Sequence, residues 1–287
     1  MFAFNPEIIS HRRSVRTYDG RPLDDEDLTE IGSILGRIAS LSTPFGNAPL
    51  IRIIDKKSRD IGQAKRLGTY GVIKGESGFL VSVSPVHDHD IVDTGFLLEH
   101  LVLSLAGMGI GTCWLGGTFK RQDFLGDLPM DDSLVIPAVI PFGRPKDRTR
   151  VMDGVMRKMA GSDSRKEWSE LFFRDEFSSV LTRESAGIWE EVLEMVRLGP
   201  SASNKQPWRV LLSDDDRIAH LYIQQTPRYA GNSFGYNMQM LDAGIALCHV
   251  TSMLNHLSVS YQMTDSDPGL DIPEGAVYVK SIEIEKR

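Results

Sequence analysis

Two long stretches of this chain have no polar face. Asp93 to Ala106 (DTGFLLEHLVLSLA) and Asp242 to Asn255 (DAGIALCHVTSMLN) are apolar on nearly all sides, so each is predicted to be a buried central helix. Other segments are amphipathic. Leu28, Ile31, Ile34, Leu35 and Ile38 recur at helical spacing in a helix expected to start near Leu23, with Asp24 and Asp25 at its positive end. Ile188, Val192, Met195 and Val196 form a second stripe of this kind, and Pro6 to His11 reads as a short helix. Strands are predicted for Leu50–Asp55, Gly78–Ser84, Thr112–Leu115, Leu134–Phe142, Arg209–Ser213 and Val277–Glu285. Between Arg144 and Gly187 the composition turns to charge, which predicts a connector with one or two surface helices and Trp168 to Phe173 packing down.

The two apolar stretches also match residue for residue. Asp93, Gly95 and His100 fall on Asp242, Gly244 and His249 at an offset of 242 − 93 = 149. STPFGNAPLIRII (Ser42 to Ile54) echoes GPSASNKQPWRVLL (Gly199 to Leu212), with Pro49 on Pro207 at 207 − 49 = 158. A period this long means two copies of a domain-sized unit, not a solenoid of ~20–50-residue repeats. The expected organisation is a first repeat over residues 1–150, a connector over 151–187 and a shorter second repeat over 188–287. Two such copies in tandem suggest a homodimer fused into one polypeptide, its apolar helices packed where a symmetric dimer has its isologous interface. His100 and His249 then read as satisfied histidines facing that seam.

Composition narrows the function. With 32 Lys and Arg against 39 Asp and Glu, the net charge is −7, and no basic stripe runs along a helix, which argues against a nucleic-acid partner. No segment reaches the ~20 apolar residues of a membrane span, and MFAFNPEIISHRRSVR lacks the signal-peptide pattern, so a cytoplasmic protein is expected. Cys113 and Cys248, each in an apolar stretch and without redox or metal spacing, read as buried inert thiols. There is no G-x-S-x-G or H-E-x-x-H motif, and His87 and His89 in VHDHD read as a solvated loop, so neither a hydrolase nor a metal site is expected.

Three motifs carry candidate chemistry. Arg12, Ser14 and Arg16 alternate along an extended segment, so their side chains share one side and suit a phosphate; the alternative is a solvated basic patch. GMGIGTCWLGG ends in Gly116-Gly117, where a backbone can approach a flat ligand; the alternative is a tight turn. In PSASNKQPW, Pro200 stops a helix and Ser201, Ser203 and Asn204 are turn formers that carry hydrogen-bond donors and acceptors.

Together RRSVRTYDG, DTGFLLEHLVLSLAGMGIGTCWLGG and PSASNKQPW resemble the FMN-dependent nitroreductase family, and the tandem layout resembles its branch in which one chain mimics the usual homodimer. The resemblance covers almost the whole chain except the connector. It implies an α+β fold, a nitroreductase-like α/β/α sandwich of two tandem repeats with mainly antiparallel sheets flanked by helices, together with FMN as cofactor and NADH or NADPH as co-substrate. Hydride would pass through flavin N5 to a small-molecule acceptor such as a nitroaromatic or quinone. It implies that Arg12, Ser14 and Arg16 bind the FMN phosphate, with Arg148 completing the clamp and Arg150 close behind it. Gly116 and Gly117 would offer N–H groups to N5 and O4, Lys74 in YGVIKG would meet the pyrimidine side, and Ser201, Ala202, Ser203 and Asn204 would close the site from the second copy. No catalytic acid–base side chain is required. Tyr229 and Phe234 are expected either to line the substrate side or simply to pack. The motifs are unevenly shared: FSSVLTRES and STPFGNAPL lack what a reciprocal site needs, so one FMN per chain is expected, in a monomer acting as an intramolecular pseudo-dimer. The alternative function is an FMN-binding protein without turnover, used in sensing or storage.

Overall fold

The computed structural model describes residues 2–55, 69, 71–125, 128, 130–146, 164–227 and 235–285. In the first half, α1 (Pro6–His11) is followed by α2 (Asp25–Ala39), whose first turn is capped by the Asp24 carboxylate accepting from Asp27 N–H. Ile31, Ile34 and Ile38 are its buried face. Strands β1 (Leu50–Asp55) and β2 (Gly78–Pro85) pair antiparallel, Leu50 opposite Val83. The central helix α3 (Asp88–Gly107) starts five residues before the predicted Asp93. Beyond it come β3 (Gly111–Thr112), β4 (Leu134–Val135) and β5 (Val139–Gly143). The single strand expected over Leu134–Phe142 is thus two pieces, with Pro137 in the gap, where a missing N–H interrupts a ladder. The strand order is β1-β2-β5-β3, with β4 beside β2, and all pairs are antiparallel.

The second half opens inside the charged connector. Instead of a surface helix, residues 168–170 make one 3₁₀ turn, followed by β6 (Phe172–Arg174) and β7 (Glu176–Val180). Aromatic and β-branched residues in FFRDEFSSV favour extended backbone, and Asp175, at φ 57, makes the turn between the strands. The chain continues through α4 (Trp189–Leu198), β8 (Trp208–Leu212), β9 (Ile218–Gln224), α5 (Gln239–His256), β10 (Tyr261–Thr264) and β11 (Ala276–Ile284). Their sheet runs β10-β11-β9-β8-β6-β7, and only β6 and β8 are parallel. Read from β8, the order β8-β9-β11-β10 reproduces β1-β2-β5-β3, with β6 and β7 added on the outer edge.

The two apolar helices, buried along most of their length, pack on each other between the sheets. They meet at the paired glycines. A Cβ on Gly95 would collide with the Leu241 carbonyl, and one on Gly244 with the Val92 carbonyl and the Phe96 nitrogen. Since Val92 and Leu241 are themselves 149 apart, the two collisions are counterparts of each other. Backbone lies on both sides of this crossing, so neither side can yield. Gly95→Ala or Gly244→Ala is expected to cost about 3 kcal/mol by chemical denaturation. Gly32→Ala, on the exposed side of α2 with open space around it, should instead stabilise by roughly 0.5–1 kcal/mol.

Candidate functional site

Beside the helix seam lies a cavity of about 630 Å³ lined from both halves. This is within the range of small-molecule and cofactor sites. Its first wall is the segment after α1. Ser14 bridges to Thr112 in parallel and Val15 N–H donates to the Thr112 carbonyl, which holds residues 12–16 extended along the sheet edge. Arg12, Ser14 and Arg16 line the cavity on one side of that strip, while Val15 packs on the other against Gly111, where a Cβ would lie 2.7 Å from Val15 Cγ2. The second wall is the turn Trp114-Leu115-Gly116-Gly117-Thr118. A Cβ on Gly116 would stand 2.8 Å from the Met238 sulfur, so the Met238 side chain packs close against this turn.

The third wall is the loop after α4: Pro200, Ser201, Ala202, Ser203 and Asn204. It is tightly made. Ala202 N–H donates to Asp242 Oδ1 at 2.9 Å, and the Ser201 hydroxyl accepts from Gln206 N–H at 2.8 Å. Asn204 Nδ2 donates to the Ser164 carbonyl, and Gln206 Oε1 accepts from Lys166 N–H. Ser203, Asn204 and Gln206 all have φ between 47 and 52, a left-handed conformation that costs side-chain-bearing residues energy and collects at functional sites.

The electrostatics are one-sided. Arg12, Arg13, Arg16, Arg165 and His11 line the cavity, and Asp242 is the one carboxylate among the lining residues. Burial pushes the Asp242 carboxyl up to about 8, only partly offset by the bond from Ala202, so it is uncharged at neutral pH. Its other oxygen has no partner among the described residues, and neither has the buried Nε of Arg12. Burial lowers the Arg12 guanidinium, and the charge of Glu99 works against that shift. A half-buried guanidinium with an orphaned nitrogen, beside a second arginine and a serine hydroxyl, is a donor set that suits a phosphate.

Nine of the residues expected from the motifs therefore meet: Arg12, Ser14, Arg16, Gly116, Gly117, Ser201, Ala202, Ser203 and Asn204. Lys74 does not join them. Its backbone is taken up by Arg16 and Tyr18, its side chain is exposed, and Val72 of the same segment lines the cavity instead. Arg148, Arg150, Tyr229 and Phe234 lie outside the described residues. The seam histidines are both bonded: His100 Nδ1 to the Phe96 carbonyl, His249 to the Met195 carbonyl and Glu99. Cys113 and Cys248 are free and buried, and burial raises both thiols. Among the described residues no metal-binding cluster occurs and no helix is long and apolar enough to cross a membrane.

Sequence reasoning missed Arg165, Trp114, Met238 and the cavity role of Asp242. Arg165 sits in a charged connector where nothing marks it. Asp242 was visible as a repeat marker, but its uncharged state comes from burial that only the fold reveals.

The model of the family described as "Putative TM nitroreductase" matches residues 6–254. A crystal structure of a "putative nitroreductase" from Thermotoga maritima superposes over 97% of this chain and 92% of its own, with TM-score 0.57 and 18% identity. The Archaeoglobus fulgidus protein named "Putative NADH dehydrogenase/NAD(P)H nitroreductase" is 26% identical over 153 residues, 49% of this chain and 85% of that relative.

Asp242 also makes a pH prediction. Its folded value lies above the ordinary carboxylate value of 3.8, so the folded state holds its proton more firmly and stability falls as pH rises from about 4 to about 8. Asp242→Asn keeps an acceptor for Ala202 without the titration. Its stability advantage over wild type should widen across that window and then level off, as read by denaturation midpoints at a series of pH values.

Proposed function

The chain belongs to this nitroreductase family, and on that premise we propose that it is a flavin-dependent oxidoreductase which holds one FMN in the seam cavity and passes hydride from NADH or NADPH to a small oxidised acceptor, such as a nitroaromatic or a quinone. One observation carries the reading. A single cavity brings the arginine–serine–arginine strip and the glycine doublet of the first half against the Ser201–Asn204 loop of the second.

The residues fit the cofactor. Arg12, Ser14 and Arg16 would take the phosphate, with the orphaned Arg12 Nε gaining a partner. Gly116 and Gly117 leave backbone N–H groups open to a flat ring, and the Ser201–Asn204 loop would close the site. Bound FMN would supply the hydride chemistry; the protein's part is binding, orientation and electrostatics. The arginines favour anionic ligands, and uncharged Asp242 does not oppose them. No side chain is assigned as a catalytic acid or base. We propose further that the fused halves act as an intramolecular pseudo-dimer.

The reciprocal position is filled from within. At the 149 offset Asp265 and Ser266 stand where the first half has Gly116 and Gly117, and at the 158 offset Phe45 stands where the second has Ser203. Lys280 Nζ pairs with Asp265 at 2.8 Å and lies 4.3 Å from the centre of the Phe45 ring. That ring stacks on His89 at 3.8 Å. This ion pair and these two stacked rings support the reading of a single flavin site.

The expected outcome is a protein with flavin absorption near ~450 nm that bleaches on adding NADH or NADPH, and one FMN extracted per folded chain. Two FMN per chain would refute the single-site reading, and bound FMN without turnover would favour a binding protein. Arg12→Ala should weaken FMN by about thirtyfold but leave riboflavin binding nearly unchanged, measured by quenching of flavin fluorescence.

A further inference from the structure

Glu99 is the one acidic residue in the otherwise apolar run from Gly95 to Leu105, and both it and His249 are wholly buried, with side-chain exposures of 0%. A dry carboxyl must be fully partnered to persist there. Its Oε2 accepts from Trp114 Nε1 at 2.9 Å, and Trp114 lines the cavity just before the glycine doublet. Its Oε1 lies 3.0 Å from His249 Nε2, across the helix seam.

The histidine's other bond settles where its protons lie. Nδ1 is 2.7 Å from the Met195 carbonyl, which can only accept, so Nδ1 carries a hydrogen. A neutral ring in that tautomer would turn a bare Nε2 toward a carboxylate oxygen, two acceptors in contact. A proton therefore sits between Glu99 and His249, whether the pair is written imidazolium–carboxylate or imidazole–acid. Around Glu99 stand His249 and Cys248 on α5, His100 on its own helix, and Arg12 of the phosphate-facing strip.

The other half of the molecule serves as an internal control. At the 149 offset Glu99 corresponds to Cys248, and Trp114 to Met263. The Cys248 sulfur lies 3.9 Å from the Ser252 hydroxyl. His100, the counterpart of His249, makes no hydrogen bond to a carboxylate among the described residues. It bonds the Phe96 carbonyl of its own helix among Phe2, Phe4 and Phe96, and burial lowers it to about 4. The Trp–Glu–His chain thus exists on one side of the seam only, the side with the open cavity.

We propose that Glu99 is a positioning residue of the flavin site: sharing a proton with His249, it fixes the Trp114 indole, and with it the turn that leads to Gly116 and Gly117, at the cavity wall. Glu99 touches no ligand itself and acts through Trp114. This rests on the cofactor reading above.

The test is a double-mutant cycle on FMN affinity and on the visible circular dichroism of bound FMN, which reports the asymmetry of the wall around the ring. Glu99→Ala and Trp114→Phe should each weaken FMN by about tenfold and alter the spectrum, and the double variant should be no worse than the singles, because both remove one support. Glu99→Gln should remain within about twofold of wild type, since its amide oxygen can accept from Trp114 while its NH₂ donates to His249 Nε2. Additive losses, or a folded Glu99→Ala variant with wild-type affinity and spectrum, would overturn the proposal. Should Glu99→Ala fail to fold, Trp114→Phe decides alone, and wild-type values for it would overturn the proposal equally. A wild-type protein that binds no FMN would instead overturn the cofactor reading.

Discussion

The close crossing of α3 and α5 is the constraint on which the rest of the structure depends. Gly95 and Gly244 let two helix backbones touch where any side chain would hold them apart. Because they touch, Glu99 in one helix can reach His249 in the other, and Asp242, which holds Ala202 of the closing loop, is brought beside the first half. The cavity lies beside this contact and draws its walls from elements that the contact brings into range. Widening the crossing would move the Ser201–Asn204 loop away from the arginine strip, so packing and site geometry are one problem here.

Much of this was legible in the residues. The fully apolar helices announced their burial through the absence of a polar face, and the 149-residue offset anticipated two sheets with a shared strand order. Arg12, Ser14 and Arg16 of the extended strip all line the cavity, and Arg13 between them does as well. What stayed hidden has physical causes. The strands Phe172–Arg174 and Glu176–Val180 are short, half of their residues are polar, and they lie amid charge, so composition outweighed their aromatic content. Lys74 lies off the cavity lining, in a segment whose backbone pairs with residues 16–18, a long-range contact that local pattern does not encode. A lone glutamate inside LLEHLVLSLAG was a visible anomaly, but its partners, Trp114 and His249, lie 15 and 150 residues away.

The halves have diverged most where the chemistry would be. Asp93 and Asp242 are counterparts, yet Asp93 is satisfied by the Phe45 and Asn47 N–H groups, while Asp242 keeps an unpartnered oxygen at the cavity wall. The Ser201–Asn204 loop tolerates left-handed serine and asparagine, whereas its counterpart lays a partly buried Phe45 on His89. Strain and unmet polar groups collect on one side, and satisfied contacts on the other.

The Glu99–His249 contact has a consequence if, as proposed, the chain joins two halves of a dimer in one polypeptide. In an assembly of two identical subunits, a residue adopted at one position near the axis is adopted at its mate as well. Two glutamates would then confront each other through the driest part of the protein, with repulsion that no nearby water could relieve. Covalent linkage releases the chain from that duplication: an acid can be kept in one copy while a thiol, Cys248, occupies the mirrored place.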